Sequence, residues 1–211
     1  MIRLSSKGWI INVAPDGGYD GTIKHKDDDR INIFLSIGRD EMSEQFNLPY
    51  MAFQHLDRNK ASEFVDDIIE KAPENLKPLY MQKREQLIDF KLKNPVIFVD
   101  HDSLEKLKNN DKYAKCILLH ELGHFVHSDE TYHETQQERT NAVLEGRVIQ
   151  SETDADDYAF SAFEDDYYDA MVSRKELCVE KMKETNDERF FGIVLELDLR
   201  IKRLADKLLN R

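Results

Sequence analysis

Cysteine is scarce: the chain of 211 residues has only Cys116 and Cys178. A disulfide framework needs more than this. The fold must therefore rest on a hydrophobic core, and both thiols are expected to stay reduced, as in the cytoplasm. Long apolar runs are also missing. Stretches such as Pro95-Val96-Ile97-Phe98-Val99 fall far short of the roughly 20 residues that cross a bilayer as a helix, so no membrane association is expected. Residues 1–14 lack the basic start, apolar stretch and small-residue cleavage site of a secretion signal, and the expected location is cytoplasmic. Positive charge is short too. Thirty Lys and Arg stand against 42 Asp and Glu, a formal net charge of -12. Such a surface repels phosphate, and no basic stripe with interleaved aromatics runs along the chain. Direct nucleic-acid binding is disfavoured. With no internal repeat and no Gly/Ser-rich or Pro-rich linker, residues 1–211 read as a single domain.

What is present is an ordinary globular balance, 40% hydrophobic and 34% charged. Trp9-Ile10-Ile11-Asn12-Val13 precedes the turn signal Pro15-Asp16-Gly17-Gly18. Residues 19–25, a charged turn at Asp27-Asp28-Asp29 and Ile31-Asn32-Ile33-Phe34-Leu35 follow. Together they predict an antiparallel β-meander over about 1–40. Residues 41–58 give no clear signal. The spacing predicts a helix over 62–72 with Phe64, Val65, Ile68 and Ile69 on one side, ended by Pro73, and a second over 79–92. Val96 to Val99 reads as a strand with a free edge, open to pairing with an extended substrate. From there the chain reads as helical, with segments at 103–108, from a cap at Asp111 to about His127, and over about 137–163, 165–186 and 188–210. Strands first and helices after make the fold class α+β. In the last helix Phe190, Val194, Leu197, Ile201, Leu204 and Leu208 recur at spacings of 4, 3, 4, 3 and 4. That is a coiled-coil type of seam, which either packs on its own domain or meets a second copy or another partner.

The chemistry concentrates at His120-Glu121-Leu122-Gly123-His124. Histidines four apart on a helix stack on one face and can ligate one zinc ion. Glu121 is displaced around the helix, so that it can reach a water on the metal without ligating. Leu118, Leu119, Leu122, Phe125 and Val126 surround these polar groups, and a metal explains why they are buried. Gly123, costly within a helix, permits another backbone to come close. A catalytic zinc needs a third protein ligand and an open position. Two residues qualify. Glu152 shares a helix face with Val148, Ile149, Ala155 and Ala159, and the small alanines allow close helix packing; Asp156, one turn on, is placed to hydrogen-bond a ligating histidine. Glu130 lies ten residues after His120, a spacing some zincins use. A closed structural zinc would instead recruit His127 or Cys116.

Three segments in order resemble the ImmA/IrrE family of zinc metallo-endopeptidases, over roughly residues 95–163: the strand Pro95–Asp100, the HExxH segment with His127 beyond it, and Glu152-x-Asp154-Ala155-Asp156-x-Tyr158-Ala159. The last is similar to the family's Glu-x-Glu-Ala-Asn-x-Phe-Ala. The resemblance implies a zincin-like fold, with His120, His124 and Glu152 as zinc ligands, Glu121 as catalytic base, and Asp156 in the supporting position of the family's Asn. It also implies a bacterial or phage-related peptidase acting on a protein such as a transcriptional repressor. Tyr132, His133, Tyr158 and His127 are candidates to stabilise the oxyanion. The competing expectation is a zinc-binding regulatory or interaction module with little or no peptidase activity.

Overall fold

The computed structural model describes residues 2–4, 7–13, 21–54, 58–93, 95–127 and 136–210. The Pro15–Gly18 turn, Glu130, Tyr132 and His133 lie outside them. In chain order the elements are β1 (Ile2–Leu4), β2 (Trp9–Asn12), β3 (Gly21–His25), β4 (Asp28–Ile37), α1 (Glu41–Phe46), β5 (Met51–Gln54), α2 (Arg58–Lys71), α3 (Lys77–Gln82), α4 (Arg84–Lys93), β6 (Val96–Val99), α5 (His101–Lys108), α6 (Lys112–Val126), α7 (Gln136–Leu144), α8 (Gln150–Phe163), α9 (Asp165–Thr185) and α10 (Arg189–Leu209). The class is α+β. The chain divides into two compact units: Met1–Ile37 with Ala52–Val99, and Gly38–Met51 with Asp100–Arg211. Among the described residues no helix is long and apolar enough to cross a membrane.

The first unit is built on a sheet of strand order β1-β2-β3-β4-β6-β5. The strands β1 to β4 pair antiparallel, as the meander reading expected, with β1 an addition to it. Alternation does the work: Trp9 and Ile11 point into the core while Asn12 is exposed. The strand β6 runs parallel to β4, Phe34 opposite Val96 and Ile37 opposite Val99. It is flanked on both sides, so the free edge expected at Val96–Val99 does not exist; its neighbour β5 comes from the stretch that gave no sequence signal. Helix α2 buries Ala61, Val65 and Ile69 against Ile88 of α4. Ile68, expected on that stripe, is exposed. The helix expected over 79–92 is two helices that meet at Lys83, and Pro78 sits in the first turn of α3, where its missing N–H costs nothing.

The second unit holds the candidate site. Asp100, 1% exposed, ties two of its segments together. Its Oδ1 accepts from the Asp102 and Ser103 amides at 2.9 and 3.1 Å, capping α5, and its Oδ2 accepts from the Tyr50 amide at 2.5 Å. Burial opposes the charge of this carboxylate, but the hydrogen bonds from Ser103, Tyr50 and Asp102 hold its pKa below the usual range. Asp111 caps α6, accepting from the Ala114 amide at 2.8 Å, as the sequence predicts. The long helix expected over 137–163 is interrupted between α7 and α8. Gly146 has φ +73°, and the amides of Gly146 and Arg147 turn back onto Val143 and Ala142, a glycine-ended helix terminus. The seam of α10 packs within its own unit, against α9, with Phe190, Leu197 and Leu204 buried.

Candidate metal centre

Helix α6 sets His120 and His124 one turn apart, their rings edge to face with centroids 4.7 Å apart. Helix α8 presents Glu152 from its first turn, where free backbone amides favour a carboxylate. One ligand atom from each of His120, His124 and Glu152 falls within 4.8 Å of the others, so this buried group can hold a metal ion. The two helices come this close because of Gly123. A Cβ there would lie 2.8 Å from Ala155 Cα and 3.0 Å from the Ala155 carbonyl oxygen. This is the close backbone approach that the glycine and the alanines of α8 predict.

The surroundings fix the imidazole of His120. Its Nδ1 lies 3.1 Å from Asp156 Oδ1 and 3.0 Å from the Tyr167 hydroxyl, which donates to the same Asp156 oxygen at 2.5 Å. Without a metal both ring nitrogens carry a proton, Nδ1–H directed at Asp156 and Nε2–H towards Glu152, whose Oε2 is 3.3 Å away; a metal ion on Nε2 would take the place of the second proton. Asp156 thus stands where the sequence reading put it, on the far nitrogen of a candidate ligand. Arg200 closes the cluster from α10. It donates to Asp156 through Nε at 3.0 Å and Nη2 at 2.6 Å, and its Nη1 lies 2.7 Å from Glu152 Oε2. Arg139 of α7 reaches Glu152 Oε1 at 3.0 Å and grips Glu196 of α10 with two hydrogen bonds.

These contacts set the charges. Burial and Arg200 push the pKa of His120 down, but Asp156 and Glu152 on its two nitrogens outweigh them and raise it to about 9. Burial and the neighbouring His120 hold His124 below its usual value. Burial works against ionising Glu152, yet Arg200, His120 and Arg139 keep its carboxyl well below the usual range. Asp156 is likewise held low against its burial, by Arg200 and His120. Burial, then Asp156, pushes the Tyr167 phenol well up.

Three observations bear on whether a metal fits. First, the donor set is two imidazoles and a carboxylate, the chemistry of an open zinc site. Second, Glu152 Oε2 is buried, and its close contacts lack hydrogen-bond alignment, which leaves acceptor capacity unspent. Third, with both imidazoles neutral, Glu121, Glu152, Asp156 and Glu196 set four buried carboxylates against the guanidiniums of Arg139 and Arg200. Arg203 touches Asp156 at 3.6 Å but is committed to Asp157. In the metal-free protein the His120 imidazolium supplies one of the two missing positive charges, and a divalent cation would displace its proton and supply both. His124 is the one ligand with real exposure, 21% of its side chain against 4% for His120 and 8% for Glu152, so the group is accessible from that side.

Glu121, 7% exposed, adjoins His120 but lies outside the ligand group. Cys116 is a core residue whose thiol burial pushes up to about 12, and His127 ends α6 with its ring edge-on to Tyr158. Neither belongs to the ligand group. Arg139, Tyr167, Glu196 and Arg200 were not foreseen. Arg200 left a signal: it stands three residues after Leu197 and four before Leu204, on the apolar stripe itself. Tyr167 left none, because its contact depends on where α9 crosses α6. No protein-family model matches the chain, and comparison with curated proteins and with solved structures gives no match either.

Proposed function

We propose that the protein is a zinc-dependent metallopeptidase of zincin-like fold, similar to the ImmA/IrrE endopeptidases, which hydrolyses peptide bonds in a protein substrate such as a regulatory protein. The observation that carries this reading is the converging group of His120, His124 and Glu152, accessible beside His124, with Glu121 adjoining it but outside it. His120, His124 and Glu152 would hold the zinc. The chemistry that zinc supplies in such a donor set is Lewis acidity towards water and a carbonyl. Glu121 accepts a proton from the attacking water on a carboxylate oxygen and delivers it to the leaving amine nitrogen. Asp156 and Tyr167 keep the proton of His120 on Nδ1, so that Nε2 remains a ligand. Arg200 and Arg139 keep Glu152 ionised and in place.

One observation favours a second reading, a metal-responsive regulatory module without peptidase activity. Arg200 and Arg139 both hold Glu152, so metal and guanidinium compete for one carboxylate. Metal content by mass spectrometry, with turnover of a protein or peptide substrate, separates the two. The parent and Glu121→Gln are expected to carry about one zinc per chain and Glu152→Ala almost none, with turnover in the parent alone. Stoichiometric zinc without turnover supports the regulatory reading. No zinc in the parent, even after incubation with it at neutral pH, overturns both.

A further inference from the structure

The second unit contains a cavity of about 300 Å³. Its walls are largely apolar: Ala114 and Ile117 of α6, Ala170 and Leu177 of α9, Ile193 of α10, and Tyr50 from the segment before β5. An apolar cavity of ~150 Å³ is enough for benzene, so this one admits a phenylalanine-sized side chain with room to spare. Its position is informative. Ile117 and Glu121 are four apart on α6, hence on one helix face and about 6 Å apart along the axis. That is within the reach of one side chain from a peptide lying along α6. Tyr50 is a second link: burial, then Asp40 and Glu121, push its phenol up, so a wall of the cavity stands in the field of Glu121.

The rim carries the distinguishing chemistry. Lys106 and Arg174 are both exposed there, and neither has an ion-pair partner among the described residues. Three other cations of the unit are paired: Lys112 with Asp166, Lys175 with Asp198 and Lys181 with Glu184. Asp111 also lines the cavity, but its carboxylate is engaged in capping α6. On a chain of net charge -12, two unpaired cations beside an apolar cavity favour an anionic partner at this cavity.

Resting on the peptidase reading, we propose that the cavity receives a large apolar side chain of an extended peptide while Lys106 and Arg174 meet acidic side chains flanking it. The preferred substrate class is then a segment with a large apolar residue between acidic ones. Lys106 and Arg174 act as specificity residues and take no part in the chemistry.

The test is fluorescence anisotropy with labelled Gly-Glu-Phe-Glu-Gly, Gly-Lys-Phe-Lys-Gly and Gly-Glu-Ala-Glu-Gly on the full chain, with and without EDTA. The acidic phenylalanine peptide should bind on the order of tenfold more tightly than the basic one at low salt, and lose the margin at high salt. The alanine peptide should bind on the order of tenfold more weakly. In the double variant Lys106→Glu with Arg174→Glu the charge preference should invert, which mere loss of structure would not do. Equal affinity for acidic and basic peptides, no binding of either, or an unchanged preference in the double variant overturns the proposal. Because binding is read in EDTA as well, a chain that proves to hold no zinc still gives a result. Zinc and turnover without an acidic preference would sink the cavity assignment alone.

Discussion

Replacing Arg200 by methionine removes one buried charge and keeps much of the side chain's volume. Arg200 is 4% exposed and bridges Glu152 and Asp156, themselves 6% and 0% exposed. Removing one partner of a buried ion pair costs ~3–5 kcal/mol, because the remaining charge is stranded. Two carboxylates are stranded here, but Arg139 and His120 still touch Glu152, so about 4 kcal/mol is expected in the metal-free protein. At about 2–4 °C per kcal/mol for a chain of this size, Tm should fall by roughly 8–16 °C. Arg203→Met is the control. Its side chain is 24% exposed and that of its partner Asp157 40%, so less than about 1 kcal/mol should be lost. Zinc supplies the decisive comparison. A divalent cation on the ligand group replaces the missing positive charge and binds the more anionic variant more tightly. The variant therefore gains more stability from zinc than the parent does. Urea unfolding followed by circular dichroism, in EDTA and in excess zinc, reads this directly. A deficit under about 1 kcal/mol in EDTA, or the same deficit with and without zinc, would refute Arg200 as the counter-charge of the site.

Gly123→Ala should destabilise the protein by ~1–3 kcal/mol through overpacking, despite the better helix propensity of alanine. The new methyl meets backbone atoms of Ala155, and its partial accommodation should spread α6 from α8 and weaken zinc binding; thermal melts with a chelator competition check both. The pH dependence of zinc binding follows from His120. Its folded, metal-free pKa of about 9 lies above the ordinary 6.5, so the stabilisation it gives the metal-free protein is complete below pH 6.5 and is lost as pH rises through 9. Ligation requires Nε2 without its proton. Zinc binding at neutral pH should therefore release about one proton and tighten by up to about tenfold per pH unit towards pH 9. Calorimetry in two buffers of different ionisation enthalpy measures the release, and its absence would place the proton elsewhere.

His120, Glu121 and His124 are readable because one helix and a fixed spacing suffice to place them. Glu152 and Asp156 are readable for a related reason: a carboxylate pair one turn apart beside alanines marks an inward face. Glu130 lies outside the described residues. Arg139, Tyr167, Glu196 and Arg200 reach the site from three further helices, and spacing within a helix says nothing about which helices cross. The same distinction governs the fold. Helix α6 and strand β6 have strong local patterns and stand where expected. The segments α1 and β5 are too short to show a period, and without β5 the strand β6 looks like a free edge. Gly146 was the local signal for the break between α7 and α8, but a continuous polar helix pattern on both sides masked it.

The order of α6, α8 and α10 along the chain has a consequence for biosynthesis. A ribosome delivers His120, then His124, Glu152 and Asp156, well before it delivers Arg200. Until α10 emerges, docking α8 on α6 would bury Glu152 and Asp156 without the guanidinium that bridges them, at a cost that favours leaving the pair apart and hydrated. The nascent chain thus passes through an interval in which its ligands are made and its internal cation is not. A metal ion that arrives in that interval contends for Glu152 with Arg139 alone; one that arrives later must also draw it from Arg200.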